Sequence, residues 1–293
     1  MPTTKLLLAL AATVCAASPA FAQDVATPNP PPPADKVEAG QNAAPLDATK
    51  AADAAKAADA TKAADAAKPA DAAKPAEAAK PAEAPKGPFT LAFSVAGVTD
   101  YRFRGISLSG KDPAFEPSIT LSHASGFHVG TWVSNLADNG GDSLEVDLVG
   151  GYGKEISGIT FDVSATDYVY PGTHGLNYWE FIGVASHAFG PFTLGGTFAY
   201  TPRQGDAAPS RGIYYAVNGA YAIPHTPISI TGSFGIEDNG FYDNKHDYSI
   251  GVSGQVIGFT VGAAYIRADH TGGDPNGKGR VVLSLSRSFE TNF

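Results

Sequence analysis

From Phe89 to the C-terminus, apolar and polar residues alternate in short runs. In the first run, FTLAFSVAGVTDYRF, every second position from Phe89 is mostly apolar, and the positions between are mostly small, polar or charged. The run from Ile228 to Ile236 alternates isoleucine and phenylalanine with serine and threonine. A period of two residues places successive side chains on opposite faces of a β-strand. The pattern therefore predicts an all-β structure whose strands have one apolar and one polar face.

Twelve such runs occur, and the segments between them alternate in length. The predicted strands cover 89–104, 114–123, 127–136, 143–153, 159–169, 177–188, 191–201, 212–223, 227–237, 246–256, 258–268 and 279–291. Short connections follow the even-numbered strands, and longer polar connections follow the odd-numbered ones. An even number of antiparallel strands, with tight turns at one end and longer loops at the other, is typical of bacterial outer-membrane barrels.

The alternation alone also fits a secreted β-sandwich, and the end of the chain favours the barrel. The final run, RVVLSLSRSFETNF, ends in Phe293 and places Val281, Leu283, Leu285 and Phe289 in one phase, which Arg287 shares. An amphipathic last strand with a terminal aromatic residue resembles the signal by which the assembly machinery recognises outer-membrane barrels. We therefore predict a transmembrane antiparallel β-barrel of about 12 strands over 89–293, in contact with outer-membrane lipid. Arg287 is expected at the lipid interface, where a long cationic side chain can reach water.

The N-terminal part of the chain predicts export and a linker. Lys5 precedes the apolar run LLLALAATVCAA, and Ala20-Phe21-Ala22 follows as a small-x-small cleavage site, so residues 1–22 read as a signal peptide. Residues 23–88 are a low-complexity Ala/Lys/Pro segment in which lysine recurs every six residues. This period forms no apolar stripe on a helix, so we predict a solvated periplasmic linker, either a plain spacer or a contact with the cell wall.

Composition excludes several classes of function. The net charge of -9 argues against a nucleic-acid partner, because nucleic-acid binders carry basic surfaces. The one cysteine, Cys15, lies in the signal peptide, so the mature chain lacks cysteine ligands and disulfides. No serine-nucleophile motif and no histidine pair with metal-ligand spacing is present. We therefore expect no enzyme, no catalytic residue, no metal site and no cofactor.

The polar phase of the strands supplies the candidate pore-lining residues. If the N-terminus is periplasmic, these charged side chains meet in the outer half of the lumen: Asp100, Arg102, Arg104, Glu145, Asp147, Glu180, Glu237 and Asp247. Either the arginines are neutralised by neighbouring carboxylates, or the opposed charges orient permeating solutes. The 19 acidic against 11 basic residues of 89–293 favour weak cation preference, whereas the arginines favour local anion contact.

Aromatic residues cluster at the predicted strand ends on the loop side, where an interfacial girdle is expected. They are Tyr101, Phe103, Tyr168, Tyr170, Tyr178, Trp179, Tyr200, Tyr214, Tyr215, Phe241, Tyr242 and Tyr265. In particular, alternation along strand one assigns Tyr101 and Phe103 to the lipid interface and Asp100, Arg102 and Arg104 to the interior. Trp132 falls in the inward phase.

Four stretches resemble one known family. They are TDYRFRGIS at 99–107, GTWVSNL at 130–136, LEVDLVGGYG at 144–153 and YVYPGTHGLNYWEF at 168–181. Together they are similar to the TorF porin family, also known as the Gcw_chp family, over essentially 89–293. The resemblance implies an outer-membrane protein with a pore function, and it supplies no catalytic residues. The sequence thus predicts a passive channel for small hydrophilic solutes or ions. The alternative is a non-conducting barrel that anchors the envelope to the cell wall.

Overall fold

The computed structural model of the chain describes residues 87–137, 143–172 and 175–293, and within them twelve antiparallel strands form a closed barrel. A short hairpin of two further strands lies between the first and second strands of the wall. The strands are β1 (Phe89–Val98), β2 (Arg102–Phe103), β3 (Ile106–Ser107), β4 (Ala114–His123), β5 (Phe127–Asn135), β6 (Leu144–Ile156), β7 (Ile159–Val169), β8 (Tyr178–Phe189), β9 (Phe192–Thr201), β10 (Gly212–Ala222), β11 (Ile228–Asp238), β12 (Lys245–Val256), β13 (Phe259–Asp269) and β14 (Arg280–Asn292). The predicted twelve-stranded barrel is confirmed.

The first and last strands close the barrel. β1 pairs with β14 on one side and with β4 on the other, and the remaining wall strands pair in chain order. At the closing seam, Phe89 N donates to Phe293 O over 3.1 Å, and Phe293 N donates to Phe89 O over 3.0 Å. The rings of Phe93 and Phe289 stack across the same seam with centroids 6.3 Å apart. The end of the chain therefore contributes directly to closure.

The two ends of the barrel differ, as the lengths of the connections predicted. The tight turns lie at one end, here called the turn end, and the longer connections lie at the other, the loop end. Two of the turns have positive φ at both central residues: Ser157 and Gly158 (54° and 81°), and Ile257 and Gly258 (51° and 78°). This conformation matches the twist of antiparallel strands in two-residue hairpins. Because β6 continues to Ile156, the connection predicted at 154–158 shortens to two residues.

The barrel turns its apolar face outward. The large exposed side chains of the wall occupy the outward phase of nearly every strand, as in β9, where Phe192, Leu194 and Phe198 are all exposed and Thr193 and Thr197 face inward. Arg287 lies in this outward phase, with its guanidinium 5.1 Å from the ring of Phe259 and 4.9 Å from that of Phe289. Inward positions carry small, polar and acidic residues, with several large rings such as Tyr168, Tyr178 and Tyr214 buried among them.

The prediction for the end of the first strand is wrong. β1 ends at Val98 instead of continuing to residue 104, and residues 99–113 fold into the barrel as a segment that we call the lumen hairpin. Tyr101 and Phe103 are 3% and 1% exposed, so they do not face the lipid interface. The two-residue period continues through the hairpin because β2 is itself extended, and periodicity alone therefore misplaces the strand end.

The part of the chain that the structure describes contains no helix long and apolar enough to cross a bilayer. The signal peptide and the linker predicted at 1–22 and 23–88 lie outside the described residues, except for Gly87 and Pro88.

Candidate functional site

The lumen hairpin fills part of the interior at the loop end. Phe103, Ile106 and Leu108 on the hairpin pack against apolar side chains that point inward from the wall. Those wall residues are Val98, Ala114, Trp132, Ala264, Ile266 and Val282. The Tyr101 and Trp132 rings meet with centroids 5.1 Å apart, and Trp132 is buried in the predicted inward phase. A small apolar core therefore holds one side of the hairpin to β5, β13 and β14.

Hydrogen bonds to Asp100 fix the shape of the hairpin. Ser107 Oγ donates to Asp100 Oδ1 over 2.5 Å, and Arg102 Nε donates to Asp100 Oδ2 over 2.8 Å. Arg102 Nη1 also donates to Gly105 O over 3.0 Å. The charge of Arg102 is thus neutralised inside the hairpin, because its carboxylate partner lies two residues before it.

Arg104 at the tip of the hairpin ties it to the opposite wall. Its Nη1 donates to Glu237 Oε1 over 2.8 Å and its Nη2 donates to Glu180 Oε2 over 2.9 Å. Lys245 Nζ donates to Glu237 Oε2 and to the backbone oxygen of Arg104, both over 2.7 Å. All four side chains are buried, so water screens these charges little. Two cations and two carboxylates form a neutral set, here called the charge latch.

Two further features of the hairpin tip support the charge latch. The guanidinium of Arg104 lies 4.0 Å from the centre of the Tyr214 ring, a cation–π geometry. Gly105 follows with φ of 82°, and a Cβ placed there would lie 2.7 Å from the backbone oxygen of Arg267. Glycine is required at this position for both reasons, since other residues avoid this φ and would collide with β13.

A second charged group lies on the wall beside the hairpin and has no cation. Glu145 and Asp147 point inward from β6 and are 0% and 4% exposed. Among the ion pairs of the described residues, none includes either carboxylate. Tyr101 OH donates to Glu145 Oε1 over 3.4 Å, while Glu145 Oε2 and Asp147 Oδ1 have no hydrogen-bond partner.

Three tyrosines complete this second group, which we call the acid–tyrosine cluster. The rings of Tyr168 and Tyr178 stack with centroids 4.8 Å apart, and both pack with Tyr170 in one buried group. The hydroxyl of Tyr170 is buried without a hydrogen-bond partner. Burial raises the pKa of the Tyr170 hydroxyl well above its ordinary value, and the neighbouring carboxylates of Glu145 and Asp147 act in the same direction. The hydroxyl therefore keeps its proton.

The turn end of the interior is lined by uncharged polar side chains along β8 to β12. A cavity of about 140 Å³ lies against this wall. The side chains that line it include Ser186, Thr193, Asn218, Thr231, Ser233 and Ser249. The hydroxyls of Ser233 and Ser249 lie 2.6 Å apart, whereas Asn218 Oδ1 has no partner. This wall offers hydrogen bonds without charge.

All eight predicted pore-lining residues lie buried inside the barrel, but they form separate groups. Arg104, Glu180 and Glu237 meet in the charge latch, and their geometry corresponds to the alternative in which carboxylates neutralise the arginine. Asp100 and Arg102 pair inside the hairpin instead of lining strand one. Asp247 accepts from Tyr214 OH over 3.2 Å, and Glu145 and Asp147 interact with Tyr170 of the tyrosine group.

Sequence reasoning missed Lys245 and the inward tyrosines. The predicted strand begins at residue 246 and so excludes Lys245, although the inward phase of Lys245 matches that of Asp247. Tyr168 and Tyr178 share the inward phases of Thr166 and Glu180, so the period could have identified them. The girdle prediction is wrong for the buried members of the aromatic set, whereas outward rings such as Trp179 are exposed and remain candidates for it.

Within residues 87–137, 143–172 and 175–293, no group of three or more acidic, histidine or cysteine side chains is arranged to hold a metal ion.

Comparison with known proteins gives a family and several barrels of similar architecture. The KdgM porin is 9% identical with a TM-score of 0.47, covering 68% of this chain and 99% of that one. The NanC porin is 10% identical with a TM-score of 0.45, covering 69% and 99%. The COG4313 outer membrane channel from Pseudomonas putida F1 is 11% identical with a TM-score of 0.43, covering 72% and 100%. No curated protein matches the chain in sequence.

Residues 82–289 match the sequence profile of a family described as bacterial protein of unknown function (Gcw_chp). The match covers the whole barrel up to Phe289 and agrees with the Gcw_chp part of the resemblance. That description carries no activity, and so the pore function implied by the resemblance stays a prediction. The chain belongs to the Gcw_chp family.

Proposed function

We propose that the protein is an outer-membrane channel for the passive passage of small hydrophilic solutes, with the lumen hairpin as its constriction. The observation that carries this proposal is the direction of the two faces of the wall. Large apolar side chains cover the outside and hydroxyl, amide and acidic side chains line the inside. A soluble barrel would bury its apolar face, whereas a membrane barrel exposes it to lipid and keeps a polar interior around water.

In this proposal the turn end faces the periplasm and the loop end faces outward. Short periplasmic turns and longer outer loops are the rule for outer-membrane barrels. The predicted signal peptide and linker support the same orientation. In this proposal the barrel assembly machinery recognises the last strand by its terminal aromatic residue. Outward rings at the loop end, Trp179, Tyr200, Tyr215 and Tyr265, then lie where an outer interfacial girdle belongs.

A permeating solute would meet two different environments. The uncharged polar wall near the turn end supplies hydrogen bonds to neutral or charged solutes alike. The loop end is narrowed by the lumen hairpin, whose tip is bound by the charge latch to β8, β11 and β12. Because bound segments inside a barrel restrict its cross-section, the hairpin sets the conductance, and we expect small unitary currents.

The filled loop end also favours the second candidate, a non-conducting barrel whose linker contacts the cell wall. Planar-bilayer recordings of the purified full chain separate the two. Small, stable current steps support the channel. If neither the native protein nor a variant with a released hairpin conducts, although both show the heat-modifiable gel migration of a folded barrel, the channel proposal is refuted. Release from cell-wall fragments on deletion of 23–88 would then support the anchor.

A further inference from the structure

The interior charges at the loop end do not balance. Arg104 and Lys245 are matched by Glu180 and Glu237 in the charge latch, and Arg102 is matched by Asp100. Among the ion pairs of the described residues, none includes Glu145 or Asp147 of the acid–tyrosine cluster, or Asp247 on β12. Burying carboxylates without a partner is costly, and proteins normally compensate it with a cation and hydrogen bonds.

Three oxygen atoms in the cluster lack hydrogen-bond partners: Glu145 Oε2, Asp147 Oδ1 and Tyr170 OH. They belong to three different side chains that interact electrostatically with one another. The Tyr170 hydroxyl comes from a different part of the wall than the carboxylates, because Tyr170 follows the end of β7 and the carboxylates lie on β6. A ligand that satisfied all three atoms would need several hydrogen-bond donors.

We propose that Glu145, Asp147 and Tyr170 bind the primary ammonium group of a small solute. An alkylammonium carries one positive charge and three N–H donors, equal in number to the unsatisfied oxygen atoms. The neighbouring rings of Tyr168 and Tyr178 provide faces of the kind that attract ammonium groups. The site makes primary amines the substrate class of the proposed channel. It rests on the channel function only because the amine must reach the site through the lumen.

Other cations fit the atoms less well. A guanidinium is planar and prefers two parallel bonds to one carboxylate, whereas the free oxygens lie one on each of three side chains. Multivalent metal ions need a convergent set of oxygen ligands, and the described residues contain no such group of three acidic or histidine side chains. A primary ammonium group, which is a compact point charge with three rotatable N–H donors, fits the three oxygens better than either.

The lumen hairpin contacts the site through Tyr101. Tyr101 OH reaches Glu145 Oε1 at 3.4 Å, much longer than the 2.7–2.8 Å typical of O–H···O hydrogen bonds. An ammonium group that takes the place of the Tyr101 hydroxyl at Glu145 Oε1 brings a charged donor to the same oxygen, and charge-assisted hydrogen bonds are shorter and stronger. The hairpin therefore covers the site with a contact that an amine can replace.

Binding can be measured without conductance. The purified full chain in detergent micelles is titrated with methylammonium, and binding is followed by NMR line broadening of the methyl group. We expect saturable binding, and binding at least about tenfold weaker for tetramethylammonium, which has the charge but no N–H donor. Equal binding of the two ions, or no saturable binding of methylammonium by the native protein, would overturn the proposal.

Variants locate the site. The double variant Glu145→Gln, Asp147→Asn should weaken methylammonium binding at least about tenfold, since hydrogen bonds to charged groups are among the stronger ones. Tyr170→Phe removes only one hydroxyl and tests the site if the double variant fails to fold. Asp162→Asn is the matched control, because Asp162 lies 3.7 Å from His128, away from the cluster. Unchanged binding in both site variants, or equal loss in the control, would contradict the assignment. Binding without bilayer currents would refute the channel and leave the amine site standing.

Discussion

Arg104 Nη2 donates to Glu180 Oε2 over 2.9 Å in the interior of the barrel, although the two residues are 76 positions apart in the chain. The same guanidinium reaches Glu237 from its other nitrogen. Arg104 thereby binds the lumen hairpin to two strands of the wall, β8 and β11. The predictions below follow from this latch and its neighbours.

Arg104→Gln should release the tip of the hairpin. The substitution leaves Glu180 without its cation and Glu237 with Lys245 alone, and breaking a buried ion pair on one side typically costs about 3–5 kcal/mol. We expect larger unitary conductance in planar bilayers and a lower midpoint of thermal unfolding in micelles. Arg211→Gln, at an exposed loop arginine, should change neither value. A native conductance and midpoint in Arg104→Gln would count against the latch.

Gly105→Ala should prevent the hairpin from seating. The added methyl group would lie 2.7 Å from Arg267 O, in a backbone region that alanine rarely adopts. The expected result is a noisier, larger conductance with the barrel wall intact, measured by bilayer recording together with heat-modifiable migration. Gly97→Ala is the control, since a methyl group there meets nothing within 4 Å. Identical recordings from the two variants would show that the approach of the hairpin to β13 is unimportant.

Lys245→Met should make the lumen more negative. It removes a buried cation and the hydrogen bond to the Arg104 carbonyl, while keeping an unbranched side chain. We expect the reversal potential in a potassium chloride gradient to shift towards cation preference, because fewer positive charges oppose potassium in the constriction. Lys278→Met, at an exposed loop position, provides the comparison. A shift towards chloride preference would contradict the role of Lys245 as a positive charge that opposes potassium in the constriction.

Phe93→Ala should weaken the closing seam. Its ring stacks on Phe289 across β1 and β14, and such aromatic pairs contribute about 0.5–1.5 kcal/mol beyond their buried area. We expect a lower urea midpoint in micelles than for Phe161→Ala, an outward phenylalanine on β7 at similar exposure. Equal midpoints would mean that the ring pair does not stabilise closure.

The wall was predictable because its rule is local. Alternation between lipid-facing and interior positions needs only the identity of neighbours along the strand, so Phe192, Thr193 and Leu194 reveal their faces directly. The two-residue turns were predictable in place for a similar reason, although β6 proved longer than expected at Ile156.

The hairpin was not predictable in this way. Its residues alternate as a strand does, and the contacts that turn it inward come from β8, β11 and β12, at least 76 residues later. A periodic pattern carries no information about such distant partners. The candidate charges were found by their inward phase, but which of them pair was decided by the inward fold of residues 99–113. Tyr168 and Tyr178 are tyrosines near strand ends, which is typical of a girdle, but their phase along β7 and β8 is inward.

The latch also orders events during folding. Arg104 is synthesised early in the barrel, whereas its partner Glu237 follows 133 residues later. The hairpin cannot reach its bound position until the later strands stand opposite it, because closing so long a loop costs entropy that only the completed contacts offset. A barrel stalled before β11 and β12 join the wall would carry a loose hairpin and an unpaired buried arginine. The seated hairpin is thus a mark of completed assembly, and a protease directed at residues 99–113 would distinguish finished barrels from unfinished ones.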